Sequence, residues 1–474
     1  MGNPKGFLTI HRKEAGNRPV DERKLDFTEV EQTLDTEDRV LQASRCMECG
    51  VPFCHWACPL GNVMPEWQDL VYKGNWKAAA EVLQRTNNFP EFTGRICPAL
   101  CEKSCVLSLS NESVTIRENE AAVIERAFAE GFIKPNPPKF RTGKKVAVIG
   151  SGPSGLACAD QLNKAGHTVT LFEKSDAVGG LLRYGIPDFK LNKYIIDRRL
   201  DILKAEGLEI KTNVYVGRDI TAQELLDSYD AVCLAIGAME PRDLQVEGRE
   251  IEGVHFALDF LCQQNAILRG VHIPEESLIS AKNKNVLVIG GGDTGSDCIG
   301  TSTRQGAKSL TQIEIMPKPP LSRTVDNPWP YYPFILKTSS SHEEGCTRKW
   351  SLNTKRFIAE NGKLSGVEVV EVEWTKDPQT GRMGMIEVPG SNKVIKAELA
   401  LLAMGFLHPV HLGLADELGL AYDRRGNISV SDKHQTSVEK VFAAGDAASG
   451  ASLVVRALAS GRETAKYVNE YLKK

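Results

Sequence analysis

Seven of the chain's twelve cysteines lie between residues 46 and 105, at steps that suit metal chemistry. Cys46, Cys49, Cys54 and Cys58 read C-x2-C-x4-C-x3-C-P, and Cys97, Cys101 and Cys105 read C-P-x2-C-x3-C. Closely stepped thiolates with proline directly after a cysteine are the pattern of iron-sulfur ligation. A structural zinc site calls for the short C-x2-C step twice, and only Cys46 with Cys49 supplies it. Disulfides would suit a short secreted chain instead. Each four-iron cubane takes four ligands, so seven cysteines leave two arrangements open. Either one cluster has three irons, or another side chain completes the second cubane. Glu120, entering the helix-like stretch Ala121 to Ile124, is the candidate, against its ordinary role as a solvated acid in a first helical turn.

A second chemistry begins at Lys144, where KKVAVIGSGPSG runs an apolar strand into Gly150, Gly152 and Gly155, with Pro153 and Ser154 opening a helix. Free N–H groups at such a helix start hold a dinucleotide pyrophosphate. Glu173 stands 23 residues after Gly150, at the end of the next expected strand, where a carboxylate accepts the hydroxyl protons of an adenosine ribose. Gly179, Gly180 and Leu181 lead into Arg183 to Pro187, whose glycines and proline let backbone approach a flat ring. Near the other end, Val441 to Gly445 is a short strand closing on Gly445-Asp446 before a helix, suited to the ribityl and pyrophosphate groups of a flavin. Asp446 as a plain N-cap is compatible with both roles.

The glycine unit recurs 140 residues later: Asn285 to Ile289, then Gly290, Gly292, Asp293, Thr294 and Gly295. Its nucleotide is NADPH or NADH. Glu314 turned to the ribose favours NADH, whereas Arg304 or Lys318 there favours the 2'-phosphate of NADPH; the reading adopted is NADPH, with Arg304. Cys158 and Cys298 occupy equivalent places in the two copies and are expected as small buried helix residues. No C-x-x-C lies within either copy, so thiol catalysis is not expected.

These residues need three kinds of support. Val63 to Phe89 carries Trp67, Leu70, Val71, Trp76, Ala80 and Leu83 at helical spacing, a scaffold that brings the cysteine groups together. The proline-rich link Lys134 to Pro138 ends that module. Strands closing on glycine, at Tyr229 to Gly237 and Glu398 to Gly405, place the second dinucleotide fold as an insertion in the first. The expected class is α/β: a helical iron-sulfur domain at 1–140, an FAD-binding domain from 141–275 and 406–474, and an NAD(P)-binding domain at 276–405. A length of 474 residues accommodates roughly three domains at about 150 residues each. With 58 basic and 61 acidic residues and a net charge of -3, no overall field attracts nucleic acid or anionic membrane. The first thirty residues lack a signal-like apolar core, and the longest apolar run, Leu399 to Leu407, is too short to span a bilayer, so a cytoplasmic protein is expected.

The chain resembles the small (beta) subunits of glutamate synthase over almost its whole length. The resemblance is carried by CMECGVPFCHWACPLGN at 46–62, GRICPALCEKSC at 94–105, VAVIGSGPSGLACADQL at 146–162, GGLLRYGIPDFKL at 179–191, GGGDTGSDCIGTSTRQGA at 290–307, NPWPYYP at 327–333 and FAAGDAASGASLVVRA at 442–457. Dihydropyrimidine dehydrogenase and the large subunit of ferredoxin-NADP transhydrogenases share these motifs, and the block at 290–333 is closest to glutamate synthase. The resemblance implies one FAD, one nicotinamide site and two 4Fe-4S clusters. It also implies that Cys46, Cys49, Cys54 and Cys105 hold one cluster and Cys58, Cys97 and Cys101 the other, with Glu120 as last ligand and Glu118 as its rival in the alignment. By implication the large subunit receives the electrons and forms L-glutamate from L-glutamine and 2-oxoglutarate. A ferredoxin-coupled reductase and a non-enzymatic metal-binding scaffold are the competing functions.

Overall fold

Short helices in the first 130 residues wrap an apolar core, except that Phe92 and Ile96 turn to the core of the sheet that follows. The α-helices of five residues or more are Thr36–Ser44 (α1), Phe53–Ala57 (α2), Met64–Tyr72 (α3), Trp76–Thr86 (α4), Pro90–Ile96 (α5), Leu100–Ser104 (α6) and Ile116–Ala129 (α7). Trp67, Val71, Ala80 and Leu83 bury against Val123 and Ile124, so the helical periodicity of 63–89 marks the core face and both tryptophans belong to it. That stretch forms two helices rather than one. Gly74, at φ 72°, ends α3, and the Asn75 side chain caps α4 by accepting the Ala78 N–H at 3.3 Å. At Gly94 a Cβ would stand 2.8 Å from the Ala121 nitrogen, so α5 and α7 cross almost in backbone contact.

The remainder of this computed structural model, which describes residues 2–376 and 381–474, is built on three sheets. In Lys145–Ile149 (β1), alternate residues face opposite cores: Val146 and Val148 pack on one side, Ala147 and Ile149 on the other. A strand buried on both faces belongs inside a parallel sheet. Pro153–Lys164 (α8) follows, then Thr168–Phe172 (β2), Lys193–Ala205 (α9), Glu209–Lys211 (β3) and Ala231–Leu234 (β4). The second unit supplies Val254–Phe256 (β5), Asn285–Ile289 (β6), Asp293–Arg304 (α10), Ser309–Ile313 (β7) and Thr347–Lys349 (β8). Leu352–Glu360 (β9), Lys363–Lys376 (β10), Met383–Glu387 (β11) and Lys393–Lys396 (β12) form an antiparallel sheet beside it. Leu399–Leu402 (β13), Val441–Ala443 (β14) and Val454–Leu472 (α11) complete the chain.

The first sheet has the order β14-β4-β1-β2-β3 and the second β5-β13-β6-β7-β8, both parallel throughout. Because β14 returns beside β4, the second sheet is inserted between two parts of the first. β5 precedes residue 276, the sequence-based start of the second domain, yet its hydrogen bonds go to β13; a three-residue strand carries too little pattern to declare its sheet. Helices α8 and α11 touch at Gly461, where a Cβ would lie 2.1 Å from the Ser154 carbonyl oxygen. Among the described residues no helix is long and apolar enough to cross a membrane.

Buried ion pairs tie the helical module to both α/β units. Arg199 of α9 donates from Nε and Nη2 to Glu91 of α5, at 2.5 and 3.0 Å. Arg23 reaches the buried Glu344 at 3.0 Å and the exposed Glu343 at 2.9 Å, and the Val30 N–H donates to the Phe189 carbonyl at 2.9 Å. Removing one member of a buried pair strands the other charge. Arg199→Met is therefore expected to cost about 3–5 kcal/mol, read as a drop in thermal midpoint, and adding Glu91→Leu should recover most of the loss. Equal midpoints for Arg199→Met and the wild type would refute this.

Candidate functional site

Each glycine of the first turn does separate work. Gly150 has φ 98° and a Cβ there would meet the Ala235 carbonyl oxygen at 2.4 Å. Gly155 would place a Cβ 1.9 Å from the Gly150 oxygen, so only glycine lets α8 seat on its strand. A Cβ on Gly152 would meet nothing within 4 Å and would project into a cavity of ≈1260 Å³. These are the tight turn, the helix seat and the open approach that a pyrophosphate requires. Ser154, whose Oγ is buried with no hydrogen-bond partner among the described residues, lines the same cavity.

Glu173, 6% exposed, holds the turn from behind. Its Oε2 accepts the Ser151 N–H at 3.2 Å and the Ser151 hydroxyl, and its Oε1 accepts the Ser175 N–H at 2.8 Å. Gly180 crosses over Gly152, where a Cβ would be 2.8 Å from the Gly152 Cα, and Leu181 follows it into the wall. Gly445, at φ 65°, abuts Ser154, which a Cβ would approach to 2.7 Å. Burial pushes the Asp446 carboxyl above its usual value even though Oδ1 accepts the Ser452 hydroxyl at 2.8 Å. The structure thus brings Gly150, Gly152, Pro153, Ser154, Glu173, Gly180, Leu181 and Asp446 to one cavity, with Gly155 and Gly445 behind the wall. Its volume and open helix start fit FAD.

The second turn repeats the arrangement. Gly290 has φ 125°, and a Cβ there would lie 2.2 Å from the Ala403 oxygen; a Cβ on Gly295 would lie 2.5 Å from the Gly290 oxygen, and one on Gly292 would meet nothing within 4 Å. Asp293 and Thr294 reach the large cavity. Arg304 does not meet a nucleotide, which corrects the sequence expectation. Its side chain has no exposed surface: Nη1 and Nη2 donate to Glu344 at 2.6 and 3.1 Å, Nε donates to the Asp26 carbonyl at 2.8 Å, and the guanidinium lies 3.9 Å from the Phe189 ring centroid. The last turn of α10 faces the N-terminal segment, which periodicity alone cannot tell. Cys158 is buried as expected, but its Sγ is 3.4 Å from that of Cys233, 75 residues away. Cys298 is buried, with its Sγ 4.0 Å from the Ala257 carbonyl.

Two short helices divide the cysteines. In α2, Cys54 lies in the first turn and Cys58 caps the end; in α6, Cys101 lies inside and Cys105 caps the end. Cys46, Cys49, Cys54 and Cys105 face a void of ≈30 Å³ walled by Phe53, Met64 and Leu107. Cys58, Cys97 and Cys101 gather with Glu120, close enough that their charges act on one another. Glu120 is buried; its Oε1 accepts the Thr93 hydroxyl and the Asn87 amide at 3.2 Å. Glu118 instead turns to the Ala15 N–H at 3.2 Å and Arg39 at 3.3 Å. Burial pushes the thiols of Cys46 and Cys97 up to about 12, that of Cys58 to about 11, and the Glu120 carboxyl to about 7. Thiolates so deprived of water suit a cationic metal partner. Among the described residues no three such donors close on a single-ion site.

Sequence reasoning missed two features of the cavity. Cys97, Pro98 and Ala99 line it, so the second cage borders the space beside Gly150. Lys190 pairs with Asp297 across the two α/β units, in the same wall. Burial opposes the Lys190 charge, but Asp297 outweighs it and holds the ammonium above its usual value. Lys190 and Asp297 stand in recognisable motifs, but nothing in the sequence pairs residues 107 apart.

Residues 144–461 match the family model described as pyridine nucleotide-disulphide oxidoreductase, and 23–132 match dihydropyrimidine dehydrogenase domain II, 4Fe-4S cluster. The Mycobacterium tuberculosis protein named glutamate synthase [NADPH] small chain is 49% identical over all of this chain and 96% of its own length. The Bacillus subtilis protein of that name is 44% identical over all of this chain and 99% of its own. Glutamate synthase [NADH] of Schizosaccharomyces pombe is 44% identical over 98% of this chain and 22% of its own. Mycobacterium tuberculosis FprA, solved with NADPH, shares the fold at TM-score 0.56 and 18% identity, over 70% of this chain and 85% of its own. Fold and site therefore define a pyridine-nucleotide flavoprotein oxidoreductase with a 4Fe-4S module at its front. Within that class, the chain belongs to the glutamate synthase small-chain family.

Two outcomes are expected. Glu120→Ala should lower iron from about eight to about four per chain in anaerobically prepared protein, as one of two cubanes is lost; unchanged iron and an unchanged cluster spectrum would show that Glu120 holds nothing. At the second turn, the His342 Nδ1 accepts the Ser339 N–H at 3.1 Å, its Nε2 meets the Gln312 Oε1 at 2.9 Å, and the Gln312 amide donates to the Gly290 carbonyl at 2.8 Å. Burial, helped by Arg348 and Lys190 and opposed by Asp293, pushes the His342 pKa down to about 4. A folded value below the unfolded one, about 6.5, means that stability is present above the unfolded value and is lost as pH falls toward the folded one. His342→Gln, which keeps an acceptor and a donor, should flatten the fall in thermal midpoint between about pH 6.5 and 4.5 relative to the wild type. Parallel slopes would remove His342 from the account.

Proposed function

We propose that this chain oxidises NAD(P)H at FAD and delivers the electrons through two 4Fe-4S clusters to the large subunit of glutamate synthase, in the cytoplasm. The large subunit then forms L-glutamate from L-glutamine and 2-oxoglutarate. In this reading residues 1–140 form the cluster domain, 141–275 with 406–474 the FAD domain, and 276–405 the nicotinamide domain, into which β5 reaches from the segment before it. One observation carries the reading: the ≈1260 Å³ cavity is walled by the first glycine turn, by Asp293 and Thr294 of the second unit, and by Cys97 to Ala99 of the second cage.

The residues have distinct tasks. Gly150, Gly152 and the N–H groups at the start of α8 hold the pyrophosphate of FAD, Glu173 accepts ribose hydroxyls, and Asp446 receives the ribityl end. FAD supplies acceptance of an electron pair and release of single electrons. Gly290, Gly292 and Gly295, with Asp293 and Thr294, hold the nicotinamide nucleotide against the same cavity. Hydride transfer to a flavin needs no side-chain acid, so positioning and exclusion of water are the work of the wall. Cys58, Cys97, Cys101 and Glu120 hold the cluster next to the cavity, and Cys46, Cys49, Cys54 and Cys105 hold the other. α2 and α6 would each give one thiol to either cluster, from positions four residues, or roughly 6 Å of helical rise, apart.

The family supports a partner. In the fused relatives of Schizosaccharomyces pombe and Saccharomyces cerevisiae, the part like this chain is 22% of the length. The purified, cofactor-loaded chain is expected to reduce artificial acceptors with NAD(P)H and to make no glutamate until the large subunit is added. Glutamate formed by the chain alone, or no acceptor reduction with FAD and clusters in place, would reject the reading.

A further inference from the structure

We infer that the second glycine turn is built for a nucleotide whose adenosine ribose bears a free 2'-hydroxyl, NADH, and that Glu314 is the residue that discriminates against NADPH. This rests on the second sheet being the nicotinamide-nucleotide site. The observation is a copied carboxylate. Glu173 directly follows β2 and Glu314 directly follows β7. Glu173 accepts from Ser151, the residue after the first glycine, at 3.2 Å, and from Ser175, two residues beyond itself, at 2.8 Å. Glu314 accepts from Gly291, the residue after the first glycine, at 2.6 Å, and from Met316, two residues beyond itself, at 3.1 Å. The pocket that reads an unphosphorylated adenosine ribose in the first unit is thus reproduced in the second.

One difference opens the copy. Ser151 sends its hydroxyl onto Glu173, whereas residue 291 is glycine, and a Cβ there would lie 2.4 Å from the Glu314 Oε2. Two N–H bonds occupy part of the carboxylate's accepting capacity and leave lone pairs for ribose hydroxyls. A 2'-phosphate in that place would set like charges side by side. Three cations of the second unit have other partners, while Lys349 of β8 gives its carbonyl to the Glu314 N–H at 2.9 Å. Arg304 is enclosed with Glu344. Lys318 and Arg348 lie 5.2 and 5.1 Å from the Trp350 ring centroid, and Arg348 donates to the Lys337 carbonyl at 2.9 Å. Overall likeness does not carry the assignment: the relative 49% identical is named for NADPH, and of two at 44% one is named for NADPH and one for NADH. The choice is local.

Calorimetric binding of ADP-ribose and of its 2'-phosphate to the loaded full chain tests this, together with anaerobic bleaching of the flavin by NADH and by NADPH. ADP-ribose should bind at least about tenfold more tightly than its 2'-phosphate, with NADH bleaching faster in the same sense. Glu314→Gln, which keeps the side chain's shape and removes its charge, should shrink that ratio by about tenfold, and Lys318→Ala should leave it within about twofold. A wild type that prefers the 2'-phosphate, or a ratio untouched by Glu314→Gln, overturns the assignment. If neither nucleotide bleaches a flavin that dithionite still bleaches, the nicotinamide reading of the second sheet falls, and this assignment with it.

Discussion

Four cysteines on two short helices set the constraint under which the rest of the molecule is arranged. Cys54 and Cys58 stand four apart along α2, as do Cys101 and Cys105 along α6, so each helix gives one sulfur to either cage. A four-residue offset is little more than one turn. The cages therefore cannot drift apart unless a helix breaks. Burial keeps the thiols of such a core protonated unless a cationic metal offsets the thiolate charge. The core persists only inside an apolar shell that keeps the sulfurs in place, which is the work of Trp67, Leu83, Val123 and their neighbours.

The module must also be held against the flavin unit: Phe89 and Phe92 bury in that unit's apolar core, and buried charge fixes how the two dock. Arg199 with Glu91, Arg23 and Arg304 with Glu344, and Lys190 with Asp297 each link parts of the chain far apart in sequence. A buried pair adds little net stability but penalises any arrangement that separates its members. In this molecule the pairs select one docking of three units, and the large cavity exists only in that docking.

The two glycine turns show how duplication leaves room for specialisation. Both use the same three glycine positions and the same following carboxylate, yet Ser151 becomes Gly291 and the carboxylate changes from buried to half-exposed. Sequence reading weighed Glu314 against Arg304 and Lys318 and adopted Arg304. The decision lay in which way the last turn of α10 faces, and Arg304 faces Asp26 and Glu344.

What the sequence by itself determined is whatever rests on local spacing. Glycine turns, the strands before them, the acid after the next strand and the stepped cysteines are short-range patterns, because backbone geometry and ligand bite act over a few residues. The helical period of 63–89 likewise disclosed its core face. Only the tertiary structure decided which distant groups meet: Glu120 rather than Glu118 beside Cys58, Cys97 and Cys101, Cys233 against Cys158, β5 in the second sheet, and Cys97 at the wall of the flavin cavity. Those meetings depend on how whole helices and sheets pack, and packing is set by the summed burial of many side chains, no one of which announces its partner along the chain.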